Sequence, residues 1–390
     1  MINFLRISSI YPGFHKKIIS NINQKDSYEK TLNIVFDQKY SVSNYLSKEL
    51  SKKNYKCNEI IHNFQILQKK WFNEYGKNYS NEKIIFQQIR FYNPEVLFIG
   101  DLNLLDKFFF EKLKSFTNIK LIMCYHCAPL SKKNLINLKY ADTIVTCTEG
   151  YSKRIKSITK KDTFLLQHAH QKTQENKKKT LNRNIDIGFI GSIFLSNKLH
   201  LGRVEIIYKL IKDYKNNFFS INFSKFFIID YLLLIIYSVF NFKFFKKIKI
   251  FYQILYIYLF SKKPIFGKDM LRTLRKTKIL INKHIEDTEF AGNMRLFEGT
   301  GSGCLLVTDY KSGLEKLFEI DNEIVVYSNQ KQLFEKVDYY LKNQKKLSQI
   351  AKKGYSKSIS AHNYEIRVNH LDKYIKDKLH YETSDKKYNV

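Results

Sequence analysis

The stretch AGNMRLFEGTGSGCLLVTD, Ala291 to Asp309, decides how the second half of the chain is read. Gly299, Gly301 and Gly303 crowd together as in a phosphate-cradling loop, but such a loop follows a strand and opens a helix. Here the order is reversed. NMRLFEGT carries Met294, Leu296 and Phe297 in a helical pattern, whereas CLLVTD is a short continuous apolar run suited to a buried parallel strand. The expected sense is helix, glycine turn, strand, with Gly301 and Gly303 ending the helix and permitting close packing. The anion-binding end is then the start of the helix. There Gly292, Asn293, Met294 and Arg295 offer free backbone N–H groups to a diphosphate. Glu298 lies more than one turn further in, placed to accept hydrogen bonds from ribose hydroxyls.

The same kind of apolar run recurs on both sides. IDIGFIGSIF, KILIN (Lys278 to Asn282) and EIVVY (Glu323 to Tyr327) read as further strands of the second half. FLRISSI (Phe4 to Ile10), EVLFIG (Glu95 to Gly100), IKLIMCY (Ile119 to Tyr125) and TIVTC (Thr143 to Cys147) do so in the first. None alternates polar with apolar, as expected of parallel strands covered on both faces. Helical patterns such as SVSNYLSKELSKK, NFQILQKKWFNEYG and NEKIIFQQIRFY lie between them, so the class is α/β, doubly wound. QKTQENKKKTLNRN, residues 171–184, has one apolar residue and no period, and reads as a linker. The expected domains are 1–180 and 185–365, followed by a terminal helix and a basic tail over 366–390, mobile after Tyr374. Two such domains facing each other enclose a cleft at the carboxyl ends of their strands.

An apolar helical insertion, residues 220–262, interrupts the second domain. FFIIDYLLLIIYSVFNF and IFYQILYIYLF flank KFFKKIK. The first run is short for a spanning helix and contains Asp230. Apolar faces rimmed by lysine suit a helix pair on an anionic bilayer surface; helices buried in the domain are the alternative.

The 390 residues carry 67 Lys and Arg against 36 Asp and Glu, a net charge of +31, with 44% hydrophobic residues. The chain is therefore globular, and its charge favours anionic partners such as phosphorylated substrates or lipid headgroups. Lys, Ile, Asn, Phe and Tyr, all encoded by AT-rich codons, crowd the sequence, so mutational drift is the competing reading of part of the lysine excess. The aromatic content of 15% and the charge also fit nucleic-acid binding, but no zinc finger, RRM signature or helix-turn-helix pattern is present, so no specific nucleic acid is expected. The start of the chain lacks a cleavable secretion signal. Its five cysteines, Cys57, Cys124, Cys127, Cys147 and Cys304, are expected to be reduced, in the cytoplasm. CYHC, Cys124 to Cys127, has no second ligand pair at zinc-site spacing and reads as the end of a buried strand, so no metal is expected.

NMRLFEGTGSGCLLVTD, followed by LEKLFEIDNEIVVY, IAKKGYSKSISAHNY and Arg367, resembles the carboxyl domain of the CgeB-like group-1 glycosyltransferases. The similarity extends upstream through FGKDMLRTLRKTKILINKHI and reaches the first half in IYPGF, LQKKWFNEYG and NPEVLFIGDLNLL. It leaves out the apolar helices and the tail. The resemblance implies a GT-B fold of two facing Rossmann-like domains. It also implies sugar transfer from a nucleotide-sugar to an acceptor hydroxyl, on a glycan or lipid-linked acceptor, with no cofactor besides the donor substrate. Glu298 matches the family glutamate that holds the donor ribose, and His284 matches a histidine expected near donor phosphate or sugar. The second glutamate of the family's E-x7-E pattern falls at Phe290, a departure that bears on the contacts to the donor sugar.

Gly191 and Ser192, ending the strand IDIGFIGSI, are expected in a loop that approaches the phosphates. His126 and Asp101 follow first-half strands and are both catalytic candidates; His126 would act as general base on the acceptor hydroxyl or orient the donor, its alternative a hydrogen-bonded strand-end histidine. His15 lines the acceptor side or lies exposed in a loop. Asp309 caps the following helix or faces the ligand, while His168 and His170 shape the crossover and His362 is structural. A basic nucleic-acid- or membrane-binding protein without catalysis is the rival reading. The favoured one is an enzyme of surface polysaccharide synthesis, peripheral on the inner membrane face.

Overall fold

The computed structural model describes residues 1–39, 43–76, 82–171, 182–194, 200–224, 229, 232, 244–286 and 288–385. The chain divides into two compact units: Met1–Gln171 together with Asn363–Val390, and Lys172–His362.

The first unit is built on six parallel strands: β1 (Ile2–Ser8), β2 (Tyr55–Ile61), β3 (Val96–Ile99), β4 (Leu121–Tyr125), β5 (Thr143–Thr146) and β6 (Asp162–Leu165), in the order β2-β1-β3-β4-β5-β6. Successive side chains point to opposite faces, and both faces are buried, which is why the sequence shows no alternation. Leu5, Ile7, Leu97, Ile99, Ile122, Cys124 and Ile144 join one core. Phe4, Val96, Phe98, Leu121, Met123 and Val145 join the other, closed by Val368, Leu371 and Ile375. Those three come from the last helix, Tyr364–Asp385. The region expected to be a mobile tail after Tyr374 therefore continues as helix, with Ile375 and Leu379 packed on this core and Lys378 paired with Asp162.

The second unit holds five parallel strands: β7 (Ile185–Ile193), β8 (Asn217–Phe223), β9 (Thr277–Asn282), β10 (Leu305–Asp309) and β11 (Val325–Tyr327), in the order β11-β10-β9-β7-β8. One face packs Ile187, Phe189, Ile279, Ile281, Leu305 and Val307 under helices Leu201–Asp213, Phe244–Phe260 and Gln330–Lys342. The other packs Ile190, Leu280, Leu306 and Val326 against Met270, Leu274, Leu296 and Phe297.

Of the apolar insertion, helix Phe244–Phe260 buries Ile254 and Ile257 completely, and Tyr256 meets Tyr208 with ring centroids 5.1 Å apart. Its other side leaves Tyr252 57%, Leu259 66% and Phe260 59% exposed. Among the described residues no helix is long and apolar enough to cross a membrane. The run Phe226 to Phe242, like the linker over 172–181, lies almost wholly outside the described residues.

The cysteines depart from the sequence reading. Cys124 is buried in β4, as the strand-end reading of CYHC requires, but Cys127 and Cys147 are joined as a disulfide. The parallel register of β4 and β5, invisible in the sequence spacing, aligns them.

Candidate functional site

The helix Met294–Gly301 starts where the sequence places it. Asn293 is its N-cap, its side chain accepting from the N–H of Leu296 at 3.3 Å and donating to Asn282 Oδ1 at 2.9 Å. Asn282 in turn donates to Thr308 Oγ1 at 2.9 Å. The cap is thus anchored to the ends of β9 and β10. At the far end Gly303 takes φ 79°, with Ser302 N–H donating to Glu298 O and Gly303 N–H to Thr300 O. The glycines terminate the helix, and Gly299 lets it press on Leu280 of β9, whose methyl would collide with any added Cβ.

Arg295 reaches back from the first turn. Its Nε donates to Ile190 O at 3.0 Å, and its Nη1 meets Met270 Sδ and the carboxylate of Glu298. Burial pushes the Glu298 carboxyl up from its ordinary pKa, and Arg295 opposes that shift. Beside this pair, at the carboxyl ends of the strands, stands a polar cluster. Asp309 ends β10 and accepts from the backbone N–H of His284 (2.8 Å), from His284 Nδ1 (2.8 Å) and from Lys283 Nζ (3.0 Å). Burial raises its pKa, but the hydrogen bond and charge of His284, with Lys283, outweigh it and hold the group at about 2. Asp309 therefore fixes His284 rather than capping a helix. The His284 ring is 1% exposed and its Nε2 is buried without a partner.

Arg203, which the sequence reading passed over, clamps this region. Its guanidinium donates to Ser192 O at 2.8 Å and to Lys283 O at 2.8 and 3.2 Å. Burial, followed by smaller and opposed effects of neighbouring charges, draws its pKa down to about 10. Only its place in helix Leu201–Asp213, following the glycine-bearing strand, could have suggested it. Gly191 and Ser192 lie not in a loop but within β7, paired with Ile221 and Asn222 of β8, because the apolar run continues through Ile193. Residues 195–199, which follow, lie outside the described residues.

In the first unit, His126 follows β4. It is 7% exposed, its Nε2 is buried without a partner, and burial lowers its pKa, opposed by a hydrogen bond to the Ala128 backbone. Asp101 follows β3 and accepts from His62 Nε2 at 3.0 Å and from Asn103 N–H at 3.1 Å. Chiefly the His62 bond, against burial, brings its pKa to about 2. His62, absent from the sequence reading, comes from the end of β2. His15 is not in a loop: Pro12 opens helix Pro12–Ile19, and the His15 ring sits 5.5 Å from that of Phe64. His362 is wedged between Phe297 and Phe318 and bonded to Leu317 O at 2.7 Å. His126, Asp101 and His15 belong to one unit, and His284 and Gly292 to Glu298 to the other.

Residues 258–373 match the profile of a family described as glycosyl transferase-like. No curated protein sequence matches the chain significantly. Among solved structures, HepE of Anabaena in complex with UDP and glucose is similar at 10% identity and TM-score 0.58, over 97% of this chain and 100% of that one. A glycosyltransferase from Rickettsia africae ESF-5 is similar at 14% and 0.55, over 97% and 98%. Sucrose-phosphate synthase from Thermosynechococcus elongatus is similar at 10% and 0.55, over 98% and 100%. With its two parallel-sheet α/β units, the chain has the GT-B fold.

Proposed function

We propose that this protein is a glycosyltransferase of the CgeB-like group, moving a hexosyl group from a nucleotide-sugar to an acceptor hydroxyl. The observation that carries the reading is the Asn293-capped helix start, set among Arg295, Arg203, Lys283 and His284 at the carboxyl ends of the second sheet. It falls inside the stretch that matches the glycosyl transferase-like profile. That HepE was solved with UDP-glucose adds support for a nucleotide-sugar donor.

In this reaction the acceptor oxygen bonds to the anomeric carbon while the bond from that carbon to the phosphate oxygen breaks. The electron pair leaves with the nucleoside diphosphate, and the hydroxyl proton passes to a base. Negative charge therefore grows on the diphosphate. N–H groups at the start of the helix, its dipole and the nearby cations meet that charge, without Mg²⁺ or Mn²⁺. Glu298 accepts from the ribose hydroxyls. His284, held by Asp309, directs its unpartnered Nε2 to the donor sugar or phosphate. His126 offers a buried nitrogen without a partner as base.

We place the enzyme in surface polysaccharide or glycoconjugate synthesis at the cytoplasmic membrane face. The support is the exposed apolar side of helix Phe244–Phe260, with Lys249, Lys262 and Lys263 exposed beside it, a surface suited to anionic lipid.

The test is calorimetric titration with nucleoside diphosphates, uridine diphosphate first. Wild type is expected to bind one, and Glu298→Ala to weaken binding by about 10- to 100-fold, the value of hydrogen bonds to a charged acceptor. If no nucleoside diphosphate binds while anionic vesicles or nucleic acid do, a non-catalytic binding role replaces the enzyme.

A further inference from the structure

The register of the first sheet gathers three residues that are well separated along the chain. Met123 pairs with Thr143, Cys124 with Ile144 and Tyr125 with Val145, so two steps further on Cys127 stands opposite Cys147. Their Cα atoms are 5.6 Å apart. On the other side of β5, Thr146 pairs with Leu165 of β6, and the chain leaving β6 brings His168 to the same end of the sheet. The ligating atoms of Cys127, Cys147 and His168 all lie within 4.8 Å of one another.

The third member of the group is held in place. The carbonyl of His168 accepts from Arg367 Nη2 at 3.3 Å, that of Gln167 accepts from Arg367 Nε at 3.2 Å, and the Tyr125 hydroxyl stands 3.4 Å from His168 Nε2. Cys147 is 2% exposed, and Cys127 and His168 are half-buried. A tetrahedral ion holds sulfur at roughly 2.3 Å and nitrogen at roughly 2.0–2.1 Å, so its ligands stand under about 4 Å apart, within reach of side-chain rotation here. Two thiolates and an imidazole are a soft donor set, which selects zinc-class ions over magnesium or calcium. The two thiolate charges cancel that of a divalent ion, so the filled site carries no net charge into the protein.

We infer that in the reduced protein Cys127, Cys147 and His168 bind one divalent ion of the zinc class, and that the disulfide is the form in which this site is closed. A phosphine converts the disulfide to two thiols: its phosphorus gives the two electrons and takes the oxygen of one water, whose two protons pass to the sulfurs. Binding the ion then releases both thiol protons to solvent. The bound ion ties the loop after β4 to the loop after β5, with three protein ligands and a fourth position for water. His126, adjacent to Cys127, is fixed with that loop. None of this depends on the sugar-transfer reading.

The test uses the full chain, reduced with a phosphine under exclusion of oxygen. It is titrated with Zn²⁺ by calorimetry and with Co²⁺, whose thiolate charge-transfer absorption reports cysteine ligation. The expected result is one ion per reduced wild-type chain and none for the disulfide form of the same protein. Cys147→Ser loses the charge-transfer band and His168→Ala weakens binding more than about tenfold, while Cys57→Ser binds as wild type. Comparing two redox forms of one chain removes misfolding of a variant as an explanation. The proposal is overturned if reduced wild type takes up no ion, if His168→Ala binds like wild type, or if the phosphine leaves the native disulfide intact.

Discussion

Asp309 is the residue on which the order of the donor-side cluster rests, since it accepts from the backbone and ring of His284 and from Lys283 at once. Its folded pKa of about 2 lies below the roughly 3.9 of an unfolded aspartate. Its contribution is therefore present above about pH 4 and lost as pH falls through 2. Asp309→Asn is expected to destabilise the second unit by on the order of 2 kcal/mol at pH 7. In urea unfolding across a pH series, the gap to wild type should close between pH 4 and 2; a gap independent of pH would contradict the ionised pairing. The partners of Asp309 were not legible in the sequence, because His284 is 25 positions away and is brought close only by the pairing of β9 with β10. Asn293, by contrast, was legible. A cap is decided within three or four residues, and the apolar pattern after it fixes where the helix begins.

At the scale of elements, the central strands were readable because both of their faces are buried and most of their positions are apolar. The strands β2, β6 and β8 were not. They lie at or beside sheet edges, and their sequences YKCNEII, DTFL and NFFSINF carry polar residues with local structural partners. In β2, Glu59 stands beside the polar Lys56 and Asn58 but is buried and paired with Arg6 of β1 at 2.7 Å, a contact that disguises a strand as a loop. Helix Gln344–Ala361 shows the opposite case, a glycine that looks like a helix breaker and is a packing requirement. A Cβ at Gly354 would run into the carbonyl of Glu323, backbone that cannot rotate away. Gly354→Ala is expected to lower stability by about 1–3 kcal/mol despite the better helix propensity of alanine. Thermal unfolding checks this, and a raised midpoint would mean that the helix is free to move outward.

At the scale of the whole molecule, the chain leaves its first unit at Gln171 and returns to it at Asn363. The sequence reading treated the residues after 365 as an appendage, because their helical pattern does not reveal which core they cover. They cover Phe4, Val96, Phe98, Leu121, Met123 and Val145. Val368, Leu371 and Ile375 are each fully buried there, and burying such side chains is worth about 1.5–3 kcal/mol apiece, a sum comparable to the whole stability of a domain. A chain stopped after His362 is expected to lose amide protection throughout the first sheet while the second unit still unfolds cooperatively. Full protection in both would show that the helix is dispensable. The same connectivity sets a timetable for synthesis. The six strands of the first sheet emerge from the ribosome before roughly 190 further residues have been added, at about 5–20 residues per second. For on the order of ten to forty seconds one apolar face of a nearly complete sheet is covered only in part, by Leu46 and Leu50, and the nascent chain offers a holding chaperone the surface that Val368, Leu371 and Ile375 later close.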